Sequence, residues 1–260
     1  MFWERCPVTM TAAITASSLS ALAWVDSAGE PQVRGVITLV RGDAPVLAFT
    51  YAEAPVARAV AATSSVQLSL TERRSTGAGF QPLLIRGRPR LTEDPSGDTF
   101  ADELLLQELH RYPPARLYAD SPLLQREYWW YLPRLLVEID VDSVRPIVPS
   151  PEPGNHLLVV VAGDDLVVRT ARIADSSSAS LTLDVHGEAP PAGTAVLFGQ
   201  DASFPDLEQW SQWRYRGWWD SATFRVQESP ARTGLGPAPG LLRRWNRHRD
   251  FERRCRKALT

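Results

Sequence analysis

Lysine is nearly missing from this chain of 260 residues. Lys257 is the single lysine among 28 basic residues, and arginine supplies the rest. A Schiff-base lysine in the core is therefore excluded, and so is a Walker-type phosphate loop, which requires a Gly-Lys-Ser/Thr step. The remaining composition, with 44% hydrophobic and 22% charged residues, is typical of a globular chain.

Cysteine and histidine are also scarce. Cys6 and Cys255 are too few for a zinc cluster or a disulfide framework, which leaves one bridge or two free thiols as alternatives. Two free thiols in a reducing cytoplasm are the expectation, because cytosolic proteins rarely keep disulfides. No metal site is predicted, because none of the four histidines has a metal-binding spacing: His110, His156, His186 and His248.

No apolar run reaches the roughly 18 residues of a membrane-spanning helix. The stretch Met10–Val25 is broken by hydroxyl residues, so we interpret it as a helical turn leading into a strand rather than as a signal peptide. A Gly-x-Ser-x-Gly hydrolase elbow is absent, and the glycines at Gly77 and Gly79 indicate a turn between strands, not a dinucleotide loop. We expect a cytoplasmic protein, and its catalytic residues, if it has any, stay unknown.

Short stretches of alternating apolar residues dominate the chain. Leu19–Val25, Gln32–Val40 and Pro45–Thr50 predict successive strands separated by turns, and the alanine-rich stretch Ala54–Ala62 predicts a short helix. A β-meander of this kind closes into a barrel. The predicted fold class is therefore mainly β, with a barrel and short helices, a second β-rich barrel-like module and a C-terminal amphipathic helix.

Proline marks the clearest boundary in the sequence. Four prolines and a glycine lie within Pro146–Gly154, which predicts a linker. The predicted organisation is a barrel domain over 1–146, the linker over 147–154, a second β-rich module over 155–229, and a Gly/Pro connector with a basic helix over 230–260. A Glu-Ala-Pro step occurs at Glu53–Pro55 and again at Glu188–Pro190, which leaves open whether the second module is a degenerate repeat of the first.

Basic and aromatic residues are concentrated locally. From Leu241 to Thr260, eight basic residues accompany two acidic ones, and apolar positions recur at helical spacing. Docking on the acidic body of the same chain is the expected role of this helix, with an anionic membrane surface or nucleic acid as alternatives. The aromatic clusters Trp129–Tyr131 and Trp210–Trp219 favour a core or an interface, with ligand contact as the alternative.

Several stretches of the first half follow one another in a recognisable order: Leu22–Asp26, Gly29–Arg34, Pro45–Thr50, Ala54–Ala62, Ser65–Leu70 and Ile85–Gly87. This pattern, over about Ser18–Val144, resembles the pyridoxamine-5′-phosphate-oxidase-like family of FMN-binding split β-barrels. The resemblance implies a split barrel, a homodimer, a small-molecule ligand and a cofactor, which is FMN or, in some actinobacterial branches, F420 or haem. It implies that Arg34, Thr50 and Gln81 contact the cofactor.

One departure from the family bears on that cofactor. The family holds the flavin phosphate with a Ser-Arg-Lys step at the start of the short helix, and here those positions read Ala54-Pro55-Val56. Arg58, one helical turn further on, is the residue expected to compensate. Two functions therefore remain. One is an oxidoreductase that uses FMN or F420 on a small molecule, and the other is a non-catalytic split-barrel relative, without a cofactor, that acts as a binding or assembly module.

Overall fold

The computed structural model describes residues 9–72, 74, 80–119, 128–148, 156–163, 165–177, 179–238 and 240–260. Within these ranges the strands are β1 (Ser20–Val25), β2 (Pro31–Val36), β3 (Leu39–Arg41), β4 (Ala44–Thr50), β5 (Val66–Leu70), β6 (Leu83–Asp94), β7 (Arg134–Pro146), β8 (His156–Ala162), β9 (Asp165–Ser176), β10 (Ser180–Val185), β11 (Gly193–Ala202), β12 (Trp210–Trp219) and β13 (Thr223–Glu228). The α-helices are α1 (Met10–Ala16), α2 (Ala54–Ala61), α3 (Leu105–Arg111), α4 (Arg116–Ala119) and α5 (Leu241–Leu259).

Seven antiparallel strands form the first sheet, in the order β2-β1-β5-β6-β7-β4-β3. Strand β1 is buried along both faces: Leu22 and Trp24 belong to one core cluster, whereas Ala21 and Ala23 belong to another. Because both faces are covered, β1 is a continuous apolar run in the sequence rather than an alternating one.

Six strands close the second sheet into a barrel, in the order β10-β13-β12-β11-β8-β9. Alternation along β8 separates its two faces, because side chains of successive residues point to opposite sides of a strand. Leu158 and Val160 pack with Phe224 in one cluster, whereas Leu157 and Val159 pack with residues of the first sheet. The predicted fold class is confirmed in its main features: the chain is mainly β with short helices, its second half contains a closed barrel, and it has a C-terminal helix.

The two sheets pack directly on each other. They share a core cluster that combines residues of β1, β2 and β6 with residues of β8, β9 and β11. At the contact between β2 and β12, the N–H of Gly35 donates to Gln212 Oε1 at 2.9 Å. A Cβ at position 35 would lie 2.6 Å from Cζ2 of the Trp210 ring, so any other residue here would force that ring to shift.

Two sequence predictions extend beyond the described residues, and the first is the turn at Gly77 and Gly79. Most of the predicted linker Pro146–Gly154 also lies outside the described residues, so the boundaries of the four predicted segments stay predictions. Helix α5 lies within the predicted C-terminal segment 230–260, and α2 begins at the predicted residue Ala54. No helix in the described part of the chain is both long enough and apolar enough to cross a membrane.

Candidate functional site

The segment Thr50–Pro55, called the Thr50 turn below, connects β4 to α2. Thr50 ends β4 in an extended conformation, and a 3₁₀ turn over Tyr51–Glu53 follows. Glu53 closes the turn, because its Oε2 accepts hydrogen bonds from the Thr50 hydroxyl at 3.1 Å and from the Thr50 N–H at 3.4 Å. This is a capping box, in which a Thr and a Glu three residues later satisfy each other's backbone groups. The predicted cofactor residue Thr50 therefore binds a carboxylate of its own turn.

Arg34 reaches the same carboxylate from β2. Its guanidinium forms an ion pair with Glu53 Oε1 and lies 5.8 Å from the centre of the Phe49 ring. Both partners of the ion pair are 28% exposed, so the pair is shielded in part from water. The structure thus brings Arg34 and Thr50 together, and the group that joins them is Glu53.

Arg58 lies on the exposed side of α2. Its guanidinium pairs with Glu93 Oε1 of β6 at 3.0 Å, with side chains that are 59% and 47% exposed. The Tyr51 hydroxyl also lies 3.5 Å from Glu93. The Glu93 carboxylate therefore binds Arg58, the residue that was expected to replace the missing phosphate-binding residues.

Gln81 is exposed and lies in the coil just before β6. Strand β6 begins at Leu83 and reaches Glu93 ten residues later. At about 3.3 Å per residue, the two ends of that segment are roughly 33 Å apart. Gln81 and Arg58, which pairs with Glu93, therefore lie at opposite ends of β6 and do not face one ligand-sized space within a single chain.

The C-terminal helix covers the Thr50 turn. Cys255 of α5 is a free, fully buried cysteine in a cluster with Trp130 and Tyr131. Burial raises the pKa of its thiol, although contacts with the Ala52 backbone and the Thr50 side chain act in the opposite direction. The predicted position of a cofactor phosphate is thus closed on one side by a helix of the same chain.

A buried ionic cluster lies next to the turn in the sheet. Arg134 of β7 pairs in register with Thr50 and is fully buried. Its guanidinium lies 3.4 Å from Glu108 of α3 and 3.8 Å from the centre of the Phe100 ring. The Tyr131 hydroxyl donates to the same Glu108 carboxylate. Burial raises the pKa of Tyr131 well above its usual range, so this hydroxyl keeps its proton.

The residues of the Thr50 turn do not fit a flavin phosphate. The Ala54 N–H at the start of α2 donates to the Tyr51 carbonyl, and Pro55 has no N–H, so the helix start offers few free donors. Arg34 and Arg58 are paired with Glu53 and Glu93. A dianionic phosphate placed here would meet two carboxylates, and like charges at this range repel each other.

The histidines and tryptophans are mostly structural. Within the described residues no group of three or more His, Cys, Asp or Glu side chains could hold a metal ion. His156 of β8 accepts a hydrogen bond from Trp213 Nε1 at 3.0 Å, and burial lowers the pKa of His156 to about 4. His248 of α5 stacks on the Tyr118 ring, with ring centres 5.3 Å apart. Trp130 is buried, as Trp213 is, whereas Trp129 is 49% exposed.

Three residues of this site were not predicted. Glu53 was recognisable, because Thr50 and Glu53 have the Thr-x-x-Glu spacing of a capping box ahead of a helix. Glu93 and Cys255 meet the turn only through long-range packing of β6 and α5. The helical spacing of apolar residues in Leu241–Thr260 predicts an apolar face, but no local pattern indicates what that face contacts.

Comparisons with known proteins give fold-level similarity only. No family model and no curated protein matches the chain. Among solved structures, a putative pyridoxamine 5′-phosphate oxidase from Listeria innocua is 17% identical, with 52% of this chain and 92% of that chain covered and a TM-score of 0.35. An F420 reductase is 18% identical, with 54% and 98% covered and a TM-score of 0.37. A haem-binding protein from Mycobacterium smegmatis is 12% identical, with 97% and 99% covered and a TM-score of 0.36. At these values the similarities do not establish a ligand or an activity for this chain.

Proposed function

We propose that this chain is a non-catalytic split-barrel protein that acts as a binding or assembly module. One observation carries the proposal: Glu53 engages both Arg34 and Thr50, the two residues that the family resemblance assigns to a cofactor. These groups stabilise the Thr50 turn. They are not free to hold a phosphate.

A phosphate at the Thr50 turn would disrupt hydrogen bonds that the turn already forms. A hydrogen bond to a charged group contributes roughly 1.5–3 kcal/mol, and a flavin phosphate normally receives several of them. To bind here, a phosphate would have to displace Glu53 from Arg34 and from Thr50, which would leave a partly buried carboxylate without a partner. Leaving a partly buried carboxylate without a partner costs free energy, and the charge of that carboxylate also repels the phosphate.

The rival function is an FMN- or F420-dependent oxidoreductase that acts on a small molecule. It needs a cofactor that tolerates Glu53, or a homodimer in which a second copy supplies the missing donors. Gln81 is exposed at the far end of β6 from Arg58. This position does not support a flavin site in which both residues of one chain contact the same cofactor. The homodimer, the small-molecule ligand and the cytoplasmic location stay predictions.

An absorbance spectrum of the freshly purified protein tests the proposal, followed by titration with FMN, F420 and haem. We expect no cofactor to copurify and no saturable, stoichiometric binding of any of the three. Two variants sharpen the result. Glu53→Gln removes the blocking charge while it keeps the side-chain shape, and Arg34→Gln removes the candidate phosphate ligand.

The oxidoreductase function would be supported, and the proposal overturned, by stoichiometric binding to the wild-type protein that Arg34→Gln abolishes. Arg88→Gln is the matched control, because Arg88 is 70% exposed on β6 and makes only a long contact of 3.7 Å to Asp142. If the wild-type protein does not bind and Glu53→Gln gains weak affinity for FMN, the carboxylate is the group that closes the site.

A further inference from the structure

The outward face of α5 is strongly basic. Eight of the residues Leu241–Leu259 are basic and two are acidic, a net charge of +6, whereas the whole chain carries −2. The other residues therefore sum to −8. A shallow, open depression between side chains of this helix, called the arginine groove below, is lined by Asn246, Arg249, Glu252, Arg253 and Arg256.

The arginines of this groove are only partly neutralised. Arg256 pairs with Glu252 at 2.9 Å. Arg249 and Arg253 form no ion pair within the described part of the chain, and both are exposed. These two guanidinium groups, four residues apart and without an ion pair among the residues described, lie on the same face of the helix, about 6 Å apart along its axis. The groove can therefore bind successive anionic groups of a polymer.

Two exposed indole rings accompany these charges. Trp245 is 54% exposed, and the Arg249 guanidinium lies 4.5 Å from the centre of its ring. Trp129, from the 3₁₀ turn next to β7, is 49% exposed, and Arg256 lies 5.2 Å from its ring centre. Exposed aromatic rings next to arginines form the surfaces on which unpaired bases stack.

The buried face of the helix argues against a membrane as the partner. Amphipathic helices bind bilayers by burying their apolar face among lipids. Here Phe251 and Cys255 pack instead in the cluster with Trp130 and Tyr131. Within the helix, the large apolar side chains that are exposed among the residues described are Leu242 and Trp245.

From the two arginines without an ion pair and the exposed indoles beside them, we infer that the arginine groove binds single-stranded nucleic acid. Arg249 and Arg253 contact successive phosphates, and Trp245 and Trp129 stack on bases. The contacts are to phosphates and ring faces, so recognition is independent of sequence. This inference rests on the proposed binding function and names the class of its partner.

Fluorescence anisotropy of the full chain with fluorescein-labelled oligothymidylate and oligouridylate tests the inference. With two phosphate contacts, the slope of log K against log salt is about −1.4, measured between roughly 50 and 200 mM NaCl. Arg249→Gln with Arg253→Gln removes both contacts and brings the slope close to zero. Trp245→Ala weakens binding by about 5- to 100-fold and leaves the slope unchanged, because stacking releases no counterions.

The control is Arg88→Gln with Arg225→Gln, which removes the same charge from exposed positions of β6 and β13. This control keeps its affinity if the groove is the site. The inference is overturned if the oligonucleotides do not bind, or if the control weakens binding as much as the groove variants do. It is also overturned if vesicles containing phosphatidylserine bind in place of the oligonucleotides. Cofactor titration uses a separate signal, so oligonucleotide binding together with stoichiometric FMN binding would overturn the proposed function alone.

Discussion

The thiol of Cys255, near the end of the C-terminal helix, lies against the side chain of Thr50 at the end of β4. Trp130 and Tyr131 complete the cluster that buries this thiol. The contact holds α5 on the Thr50 turn, at the position where the family resemblance implies a cofactor phosphate. Burial raises the pKa of the Cys255 thiol, and the thiolate is the form that reacts with disulfide reagents.

We therefore expect Cys255 to be unreactive in the folded protein. In a Cys6→Ala background, modification by an aromatic disulfide reagent at mildly alkaline pH should proceed only as fast as the protein unfolds, and should become rapid in urea. Cys255→Ala combined with Trp245→Cys is the matched control, because position 245 is exposed on the same helix. Equal reactivity of the two thiols in the native state would show that α5 does not stay docked on the turn.

The ion pair between Arg34 and Glu53 should contribute measurable stability. In a double-mutant cycle with Arg34→Gln and Glu53→Gln, we expect a coupling free energy of about 1 kcal/mol, since both side chains are partly shielded from water. Urea unfolding measures each variant. The comparison cycle uses Arg88 and Asp142, which lie 3.7 Å apart with side chains 70% and 44% exposed. A coupling free energy near zero for Arg34 and Glu53 would mean that the carboxylate does not hold Arg34. Arg34 would then be available to bind a phosphate.

The strands and the two helices α2 and α5 follow from local patterns, because periodicity and turn residues act within a few positions of each other. The Thr50 turn itself could also be predicted, since the Thr-x-x-Glu capping box depends on four consecutive residues. The ion pair between Arg34 and Glu53 could not be predicted. It depends on β2 passing the turn, and the sequence contains many arginines but no signal that pairs one of them with Glu53. Gln81 was assigned to the cofactor by the family resemblance and not by a local pattern, and that assignment stays a prediction.

The buried cluster around Arg134 should be the most sensitive ionic site in the chain. Arg134→Met leaves the Glu108 carboxylate buried without its partner, and we expect it to lower the free energy of unfolding by about 3–5 kcal/mol. Tyr131→Phe removes one hydrogen bond to the same carboxylate and should cost about 1–2 kcal/mol. Thermal or urea unfolding measures both losses.

The rescue variant distinguishes charge from packing in this cluster. Arg134→Met combined with Glu108→Gln removes both charges, so it should be more stable than Arg134→Met alone. If the double variant were less stable than either single variant, the cost would come from lost packing against Phe100, whose ring lies 3.8 Å from the guanidinium.

His156 is the neutral partner of Trp213 inside the folded protein. Trp213 Nε1 donates to His156 Nε2, so the remaining proton of the neutral ring is on Nδ1. Burial lowers the pKa of His156 to about 4, against about 6.5 in the unfolded chain. The unfolded state therefore binds the proton more tightly. The contribution of His156 to stability is complete above about pH 6.5 and is lost as the pH falls toward 4.

Between pH 7 and pH 5 this single group should lower the free energy of unfolding by about 2 kcal/mol. Carboxylates also titrate at acid pH, so the quantity to measure is the difference between the wild-type protein and His156→Gln, which keeps an acceptor for Trp213. Urea unfolding at both pH values gives that difference. We expect the difference in free energy of unfolding between the two proteins to be smaller at pH 5 than at pH 7, because only the wild type loses the stability contributed by His156. A difference that does not change with pH would mean that His156 already carries its proton in the folded state, and that Trp213 is not its donor.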